Sequence, residues 1–378
     1  MAPRTVSPKG GDLADAQWMK RALEEAHRSL WHAPPNPAVG CVLLPTAGAP
    51  ILGHTQPPGH RHAEADALAR ARELGVATAG ATVFVTLEPC SHFGRTPPCA
   101  DALVEARVAR VVVAVQDPNP LVAGRGIERL RAAGIQVEVG LLDREAREIN
   151  IGFFSRMVRG VPWVRMKIAA SLDGRTALDN GRSQWITGAA ARADGHAWRA
   201  RAGAVLTGIG TVLEDDPRLD VREVETPRQP LRVIVDSRLE TPPGARILQS
   251  PGSVLIYAAQ DDVVRRAALE ARGAEVALCP GPSGKVDLSA MLRDLARRGI
   301  NELHVEAGHK LNGSLLREGL VDEFLIYLAP KLLGLGREML RFGPLQSLDE
   351  AVGLRFLEVQ PVGEDLRIRA RPPGRERF

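Results

Sequence analysis

His62-Ala-Glu64 and, further on, Glu88-Pro-Cys90-Ser-His-Phe-Gly-Arg-Thr-Pro-Pro-Cys99 are the stretches around which the first half of the chain is organised. One histidine and two cysteines are ligands of the kind zinc takes. Three protein ligands leave a fourth position for water, the arrangement of a catalytic rather than a closed structural site. Read singly, the cysteines are small buried hydrophobes and the histidine a core residue. Their combination, with Pro89 ahead of Cys90 and Glu64 two residues after His62, points to metal. A closed structural site would need a fourth protein ligand, and Cys41 or His92 could supply it.

H-x-E followed by P-C and a second cysteine is the pattern of zinc deaminases. There zinc makes hydroxide available near neutral pH, and a glutamate in the place of Glu64 carries a proton to a ring nitrogen and then to departing ammonia. One departure stands out: eight residues separate Cys90 from Cys99, where the general pattern has about two.

Composition bounds the rest. A chain of 378 residues exceeds one typical core and predicts two or three domains. Four cysteines, two of them already assigned, make no disulfide framework, so a reducing, cytoplasmic compartment is expected. Met1 to Asp12 lacks the apolar run of a signal peptide and reads as a flexible tail, and no apolar stretch reaches membrane-span length. A net charge of +4 is mild and its arginines are scattered. Aromatic residues make up 4%, too few for an evident base-stacking platform, so neither nucleic acid nor membrane is an expected partner.

In the first half, Met19, Leu23, Ala26 and Leu30 recur at helical spacing and predict a helix over 15–30. Pro34-Pro35-Asn36-Pro37 stops it. Strands follow over 38–44 and 51–54, a helix over 62–74 with His62 and Glu64 in its first turn, and strands over 82–86 and 111–115. A helix over 124–133, a strand over 135–139 and a helical connector over 142–158 complete a compact α/β domain. Asn36 can donate to and accept from a heterocycle edge, or be a turn residue before proline. Asp117 and Asn119, just after a strand, are natural pocket lining. Arg95 and His92 suit a phosphate, or simply form a polar loop.

Asn36-Pro-Ala-Val-Gly-Cys41, His62-Ala-Glu64, Thr86-Leu-Glu-Pro-Cys90 through Cys99, and Asp117-Pro-Asn-Pro120 resemble the cytidine and deoxycytidylate deaminase superfamily, and more narrowly the deaminase half of the bifunctional RibD family of riboflavin biosynthesis. The long cysteine spacer matches that subfamily. The resemblance implies zinc on His62, Cys90 and Cys99, and Glu64 as proton shuttle. It also implies pyrimidine and ribose contacts from Asn36, Asp117 and Asn119, and contacts near the ribose phosphate from His92, Arg95 and Thr96. Many members carry lysine where this chain has Arg95, and a histidine where it has Thr55.

After Gly160-Val-Pro162, strands over 163–169, 204–208, 232–236, 254–258, 303–306 and 323–329 alternate with helices over 189–201, 263–272, 288–298 and 314–318. This predicts a mostly parallel sheet covered on both sides, with a terminal hairpin over 355–359 and 366–370. No complete G-x-G-x-x-G follows a strand. Gly208-Ile-Gly210 and Gly334-Leu-Gly336 are weaker signs of backbone approach to phosphate, or ordinary loops. Lys167 and Glu306 are charges inside apolar strands. Such charges face solvent, line a cleft or neutralise one another, since isolated burial is costly.

Lys167 through Arg175, Trp185-Ile-Thr-Gly188, Gly208 through Leu219, and Asn312 through Glu323 resemble the reductase half of the same family. That half has a dihydrofolate reductase-like fold and uses NADPH. The resemblance places cofactor contacts at Ala169, Ser183, Trp185, Thr187, Thr211, Asp215 and Gly308. Substrate contacts fall at Lys167, Arg199, Asp216, Leu219, Arg222 and Glu306, with Lys167 and Glu306 acting at the reacting sugar. The family usually reads Glu-Gly-Gly where this chain has Glu306-Ala-Gly308.

The expected architecture is therefore α/β: a tail over 1–12, a cytidine deaminase-like three-layer domain over 13–158 and a dihydrofolate reductase-like domain over 160–378. The expected chemistry is zinc-dependent deamination of a phosphorylated diaminopyrimidinone, then NADPH-dependent reduction of its ribosyl chain, in a homo-oligomer. The alternatives are a nucleoside or RNA-base deaminase with an appended nucleotide-binding domain, and a zinc scaffold without catalysis. Glu64 argues against the last.

Overall fold

The computed structural model describes residues 10–92 and 97–378, and Arg95 and Thr96 lie outside the described residues. It divides into two compact units, Met1–Arg159 and Gly160–Phe378. The first runs α1 (Gly10–Ser29), β1 (Gly40–Leu44), β2 (Ile51–His54), α2 (Ala63–Glu73), β3 (Thr82–Val85), α3 (Cys99–Glu105), β4 (Arg110–Val113), α4 (Arg125–Ala132), β5 (Gln136–Val139), α5 (Asp143–Ile149) and α6 (Ile151–Arg159). Its sheet has the order β2-β1-β3-β4-β5. β1 lies antiparallel to β2 and β3, and β3, β4 and β5 are parallel. Val83, Phe84, Val85, Val111, Val112 and Val113 are all buried, as strands covered on both faces require.

Three local outcomes depart from the expected elements. Helix α1 begins at Gly10, inside the expected tail, because no proline stands between Gly10 and Asp15 and a formed helix propagates even into weak formers such as Gly10 and Gly11. His62 is not in the first turn of α2 but is its extended N-cap, with φ −75° and ψ 169°. The connector over 142–158 is two helices, broken at Asn150. The Asn150 amide accepts from Ala38 N and donates to Ala38 O, both at 2.8 Å, which ties the helix break to the loop after Asn36.

The second unit runs β6 (Trp163–Ser171), β7 (Arg175–Leu178), α7 (Ala189–Arg201), β8 (Ala204–Gly208), α8 (Ile209–Asp215), β9 (Leu231–Val235), α9 (Arg246–Gln249), β10 (Val254–Ala258), α10 (Val263–Glu270), β11 (Ala274–Leu278), α11 (Leu288–Arg297), β12 (Glu302–Val305), α12 (His309–Arg317), β13 (Glu323–Ala329), β14 (Gly336–Glu338), β15 (Arg355–Val362) and β16 (Asp365–Arg371). The large sheet has the order β11-β10-β9-β8-β12-β6-β13-β16-β15, and β14 pairs with β7 apart from it. Strands β11 through β13 of that order are parallel; the expected β15–β16 hairpin adds an antiparallel edge. Elements β7, α8, α9 and β14 are short, and β11 is a partly exposed edge strand rather than an apolar run, so none carries a clear hydrophobic period.

A charge cluster sits inside this sheet. Arg165 of β6 is buried between Glu302 Oε2 at 2.6 Å and Glu323 Oε1 at 2.8 Å. Glu323 also accepts from Arg369 Nε at 3.1 Å and Arg371 Nη2 at 2.6 Å. The Arg165 guanidinium lies 4.5 Å over the Trp198 ring. Residues alternate faces along a strand, so Arg165, Lys167 and Ala169 share one side of β6.

Candidate active sites

In the first unit the local fold builds the metal cluster. Gly53 lets the start of α2 lie directly on β2: a Cβ there would stand 2.3 Å from Ala63 O. That fixes His62 at the helix edge. Its Nδ1 is 3.6 Å from Cys90 Sγ and 3.5 Å from Cys99 Sγ. The ligand atoms of all three residues lie within 4.8 Å of one another. Among the described residues neither Cys41 nor His92 joins them, so this group has the open position of a catalytic site rather than four protein donors. The donor set, one imidazole and two sulfurs, suits zinc.

The sulfurs are prepared unequally. Hydrogen bonding from Cys99 and from His62 lowers the Cys90 thiol, while its thiolate neighbour and burial hold Cys99 up. The Cys99 backbone N–H donates to Cys90 Sγ at 3.3 Å, the kind of outer contact that orients a metal thiolate. Glu64 is buried beside this group, and burial, with Cys90 next, pushes its carboxyl up to about 7. A carboxyl poised there suits general acid–base work, although a dication alongside would pull it down again.

Of the expected substrate residues, the described ones, Asn36, His92, Asp117 and Asn119, all lie on loops. Asn36 donates its N–H to Ala33 O at 2.9 Å. His92 is exposed. Asp117 is buried, its carboxyl raised to about 7 by burial, and Oδ1 accepts from Asn119 N at 2.8 Å. Asn119 Oδ1 accepts from Leu121 N at 3.1 Å. Thr55 is buried and turned inward: its Oγ1 accepts from Val39 N at 3.0 Å, a tie between the two chain segments.

In the second unit, Lys167, Glu306, Arg199 and Arg222 form one polar chain. Glu306 stands just past β12 and takes Arg199 on both oxygens, Nε to Oε1 and Nη2 to Oε2 at 2.9 Å. Lys167 Nζ is 3.6 Å from Glu306 Oε2. Burial alone would raise the Glu306 carboxyl, but Arg199 and Lys167 outweigh it and hold it well below the usual carboxylate range. Arg199 Nη1 donates to Asp220 O at 3.0 Å and Arg222 Nη1 to Asp220 Oδ1 at 2.7 Å. Burial, with Arg199 next, pushes His196 down to about 4, and its Nδ1 accepts from Arg222 N at 3.4 Å. Sequence reasoning missed His196 and Asp220, which orient the two arginines.

Other expected contacts separate. Ser183 Oγ donates to Asp215 Oδ1 at 3.4 Å, whereas Asp216 Oδ1 accepts from Arg246 N at 2.8 Å. The aspartates thus face different partners, and Asp216 is tied to α9. The Leu219 side chain is packed in a core with Val212 and Ile234, so only its backbone is available to a ligand. Thr211 and Gly308 adjoin at the carboxyl ends of β8 and β12: a Cβ on Gly308 would lie 3.6 Å from Thr211 Oγ1. Crevices at such strand ends are where α/β sheets take ligands. Trp185 is exposed with Arg192 4.6 Å over its ring, and Thr187 O accepts from Arg192 Nη1 at 2.9 Å. Ala169 stands on β6 beyond Lys167. Ala307 does not adopt positive φ and its methyl leans on the core, so the backbone accommodates it.

Comparison with known proteins is consistent across the chain. Residues 162–368 match the family described as the RibD C-terminal domain, and residues 13–115 the cytidine and deoxycytidylate deaminase zinc-binding region. The riboflavin biosynthesis protein RibD of Escherichia coli (strain K12) is 44% identical over 94% of this chain and 98% of its own. That of Aquifex aeolicus is 40% identical over 94% and 97%. Among solved structures, Acinetobacter baumannii RibD, form 1, superposes with a TM-score of 0.87 at 42% identity, covering 96% of this chain and 99% of that one. A Thermotoga maritima protein described as a diaminohydroxyphosphoribosylaminopyrimidine deaminase/5-amino-6-(5-phosphoribosylamino)uracil reductase gives 0.84 at 31% identity, covering 96% and 99%.

Proposed function

Because the chain belongs to the RibD family of bifunctional deaminase–reductases, we propose that it carries out two successive steps on one phosphorylated pyrimidine. The first unit hydrolyses the amine from 2,5-diamino-6-(5-phosphoribosylamino)pyrimidin-4(3H)-one. The second reduces the ribosyl chain of the resulting 5-amino-6-(5-phosphoribosylamino)uracil to ribityl, with NADPH as donor. The observation that carries the first step is the His62–Cys90–Cys99 cluster with buried Glu64 beside it.

His62, Cys90 and Cys99 would hold zinc, which lowers the pKa of water at its open position to near neutrality. Glu64 would carry one proton from the attacking water to the ring nitrogen as the C–O bond forms, then carry the second proton, from the new hydroxyl, to the amine, which leaves as ammonia when the C–N bond breaks. Asn36, Asp117 and Asn119 hold the pyrimidine and ribose, and His92, Arg95 and Thr96 the phosphate end.

In the second unit a bound nicotinamide would supply the hydride, with the balancing proton drawn from solvent. Ala169, Ser183, Trp185, Thr187, Thr211, Asp215 and Gly308 would hold the cofactor. Lys167 grips the oxygens of the opened sugar, and Glu306, fixed by Arg199, accepts from its hydroxyls. Arg222 and the backbone at Asp216 and Leu219 complete the substrate side. A homo-oligomer belongs to the same reading, supported by Phe356 and Val359, exposed along the edge strand β15. So does the cytoplasm, supported by four cysteines that are all free of disulfides.

The test is metal analysis of the full chain together with ammonia release and NADPH oxidation on the phosphoribosylated diaminopyrimidinone. One zinc per chain, with ammonia release preceding cofactor oxidation, is expected. Full metal occupancy in Cys90→Ala would remove the ligand assignment. Equal efficiency on cytidine or on adenosine in RNA would remove the substrate. Equal turnover with NADH would remove the NADPH preference alone.

A further inference from the structure

Glu88 closes the segment Val83-Phe-Val-Thr-Leu-Glu88 and is buried to 3% exposure. Its carboxylate accepts four backbone N–H groups: Gly126 at 2.9 Å and Ile127 at 3.3 Å on Oε1, Gly124 at 2.9 Å and Asp117 at 3.2 Å on Oε2. Three of these belong to the start of α4, whose N-cap Gly124 has no side-chain cap of its own. The first N–H groups of a helix lack intrahelical partners, and an acceptor from elsewhere in the fold does what a capping residue otherwise does. The fourth belongs to Asp117. The Glu88 backbone N–H meanwhile donates to Val115 O at 3.0 Å, extending the β3–β4 pairing toward the loop of Asp117. Two residues on, Cys90 stands at the metal cluster. Gly126 seals the contact: a Cβ there would lie 1.9 Å from Pro89 O, so α4 rests directly on the peptide that leads into Cys90.

We propose that Glu88 is a positioning residue of the deaminase, setting the Asp117–Asn119 loop at a fixed height above the Cys90 loop. It touches neither metal nor substrate. Its two oxygens make the strand end, the α4 start and the substrate loop one rigid piece, so the ring is presented to the attacking water at one distance. The proposal rests on the reading that Asp117 and Asn119 contact substrate.

Glu88→Gln isolates the effect. An amide keeps size and one acceptor, but its NH2 faces two N–H groups it cannot satisfy. Misplacement of a reacting group by about 1 Å costs roughly 100-fold in rate, and loss of the loop's register falls on substrate binding as well. The full chain carrying Glu88→Gln should keep its zinc and its reductase kcat, with deaminase kcat/KM down by about 100-fold and KM raised by about 10-fold at least. Gly126→Ala, which pries α4 from Pro89 with the carboxylate intact, should show the same split. Glu88→Asp, with two acceptor oxygens on a shorter stem, should recover part of the loss. Deaminase constants unchanged in Glu88→Gln would overturn the proposal, and so would zinc loss in step with activity in both variants, which makes Glu88 merely structural. Asn119→Ala separates the two readings: if it leaves KM unchanged while Glu88→Gln raises it, Asn119 is removed from the substrate contacts and Glu88 positions the loop through Asp117, whose N–H it holds.

Discussion

Lys167→Met should slow the reduction strongly while barely loosening the fold. Lys167 Nζ stands 3.6 Å from Glu306 Oε2; at an effective permittivity of about 20 that pair is worth roughly 4–5 kcal/mol of gross attraction. Most of it does not appear in stability. Glu306 keeps the two-pronged Arg199 pair after Lys167 is gone, and the lysine side chain is 22% exposed, so water screens what remains. The net loss should be about 1 kcal/mol, a drop of about 2–4 °C in Tm for a unit of this size. Orientation of the sugar against the nicotinamide is a separate quantity, and losing it should cost about 100-fold in reductase kcat. Arg199→Met gives the contrast: Glu306 is then buried with only the longer contacts to Lys167 at 3.6 Å and His304 at 3.5 Å, and destabilisation of about 3–5 kcal/mol is expected. The assay is steady-state NADPH oxidation on deaminated substrate, with cofactor titration, ammonia release and thermal unfolding on the same samples. Reduction by Lys167→Met at the parental rate would refute the reasoning. Lys167 would then serve only to neutralise Glu306.

Three further outcomes are expected. Glu64→Gln should retain zinc and leave reduction intact while nearly abolishing ammonia release, and undiminished release would mean that another group moves the proton. Removing the phosphate from the substrate should lower deaminase kcat/KM, and Arg95→Ala should erase that difference; equal efficiency toward both forms in the unaltered chain rejects a phosphate role for Arg95 and His92. Acid should weaken the second unit. Burial raises the Glu302 carboxyl, but Arg201 and Arg165 overcome it and hold it down to about 2. A depressed carboxylate stabilises above its unfolded value, so this contribution is full above about pH 4.5 and fades as pH falls through about 2. Urea unfolding of Glu302→Gln should be flatter over that range than that of the unaltered chain.

The His62–Cys90–Cys99 group and the place of Glu64 beside His62 are legible from sequence because ligand chemistry restricts residue types, and a three-residue spacing is local. The strand and helix alternation is legible because buried strands such as β3 and β10 are nearly unbroken apolar runs. Other features lie in contacts between distant segments. The Glu88 donors lie 29 to 39 residues further along the chain, and no periodicity announces them. The available signal was a carboxylate ending an apolar strand. The same signal singles out Lys167 on β6 and applies equally to Arg165, whose partners on β12 and β13 only the sheet order brings alongside. The Asp215–Asp216 pair could not be divided from sequence because the two are chemically identical; the helix end at Asp216, with φ 40°, turns them to different neighbours.

The charge cluster inside the large sheet also orders events during synthesis. Glu323 lies in the middle of that sheet with no exposure, yet two of its three cations, Arg369 and Arg371, arrive almost fifty residues later. While a ribosome is still adding residues past 323, the carboxylate has only Arg165, which Glu302 shares. The deaminase unit holds all its own strands by residue 159 and can fold on emergence, since domains made first generally fold first. The reductase sheet has to wait for its last strand before its central charge is balanced. A nascent chain stalled between 323 and 369 should therefore bind zinc but remain protease-sensitive after residue 160, and release of residue 371 should be the step that makes the second half resistant.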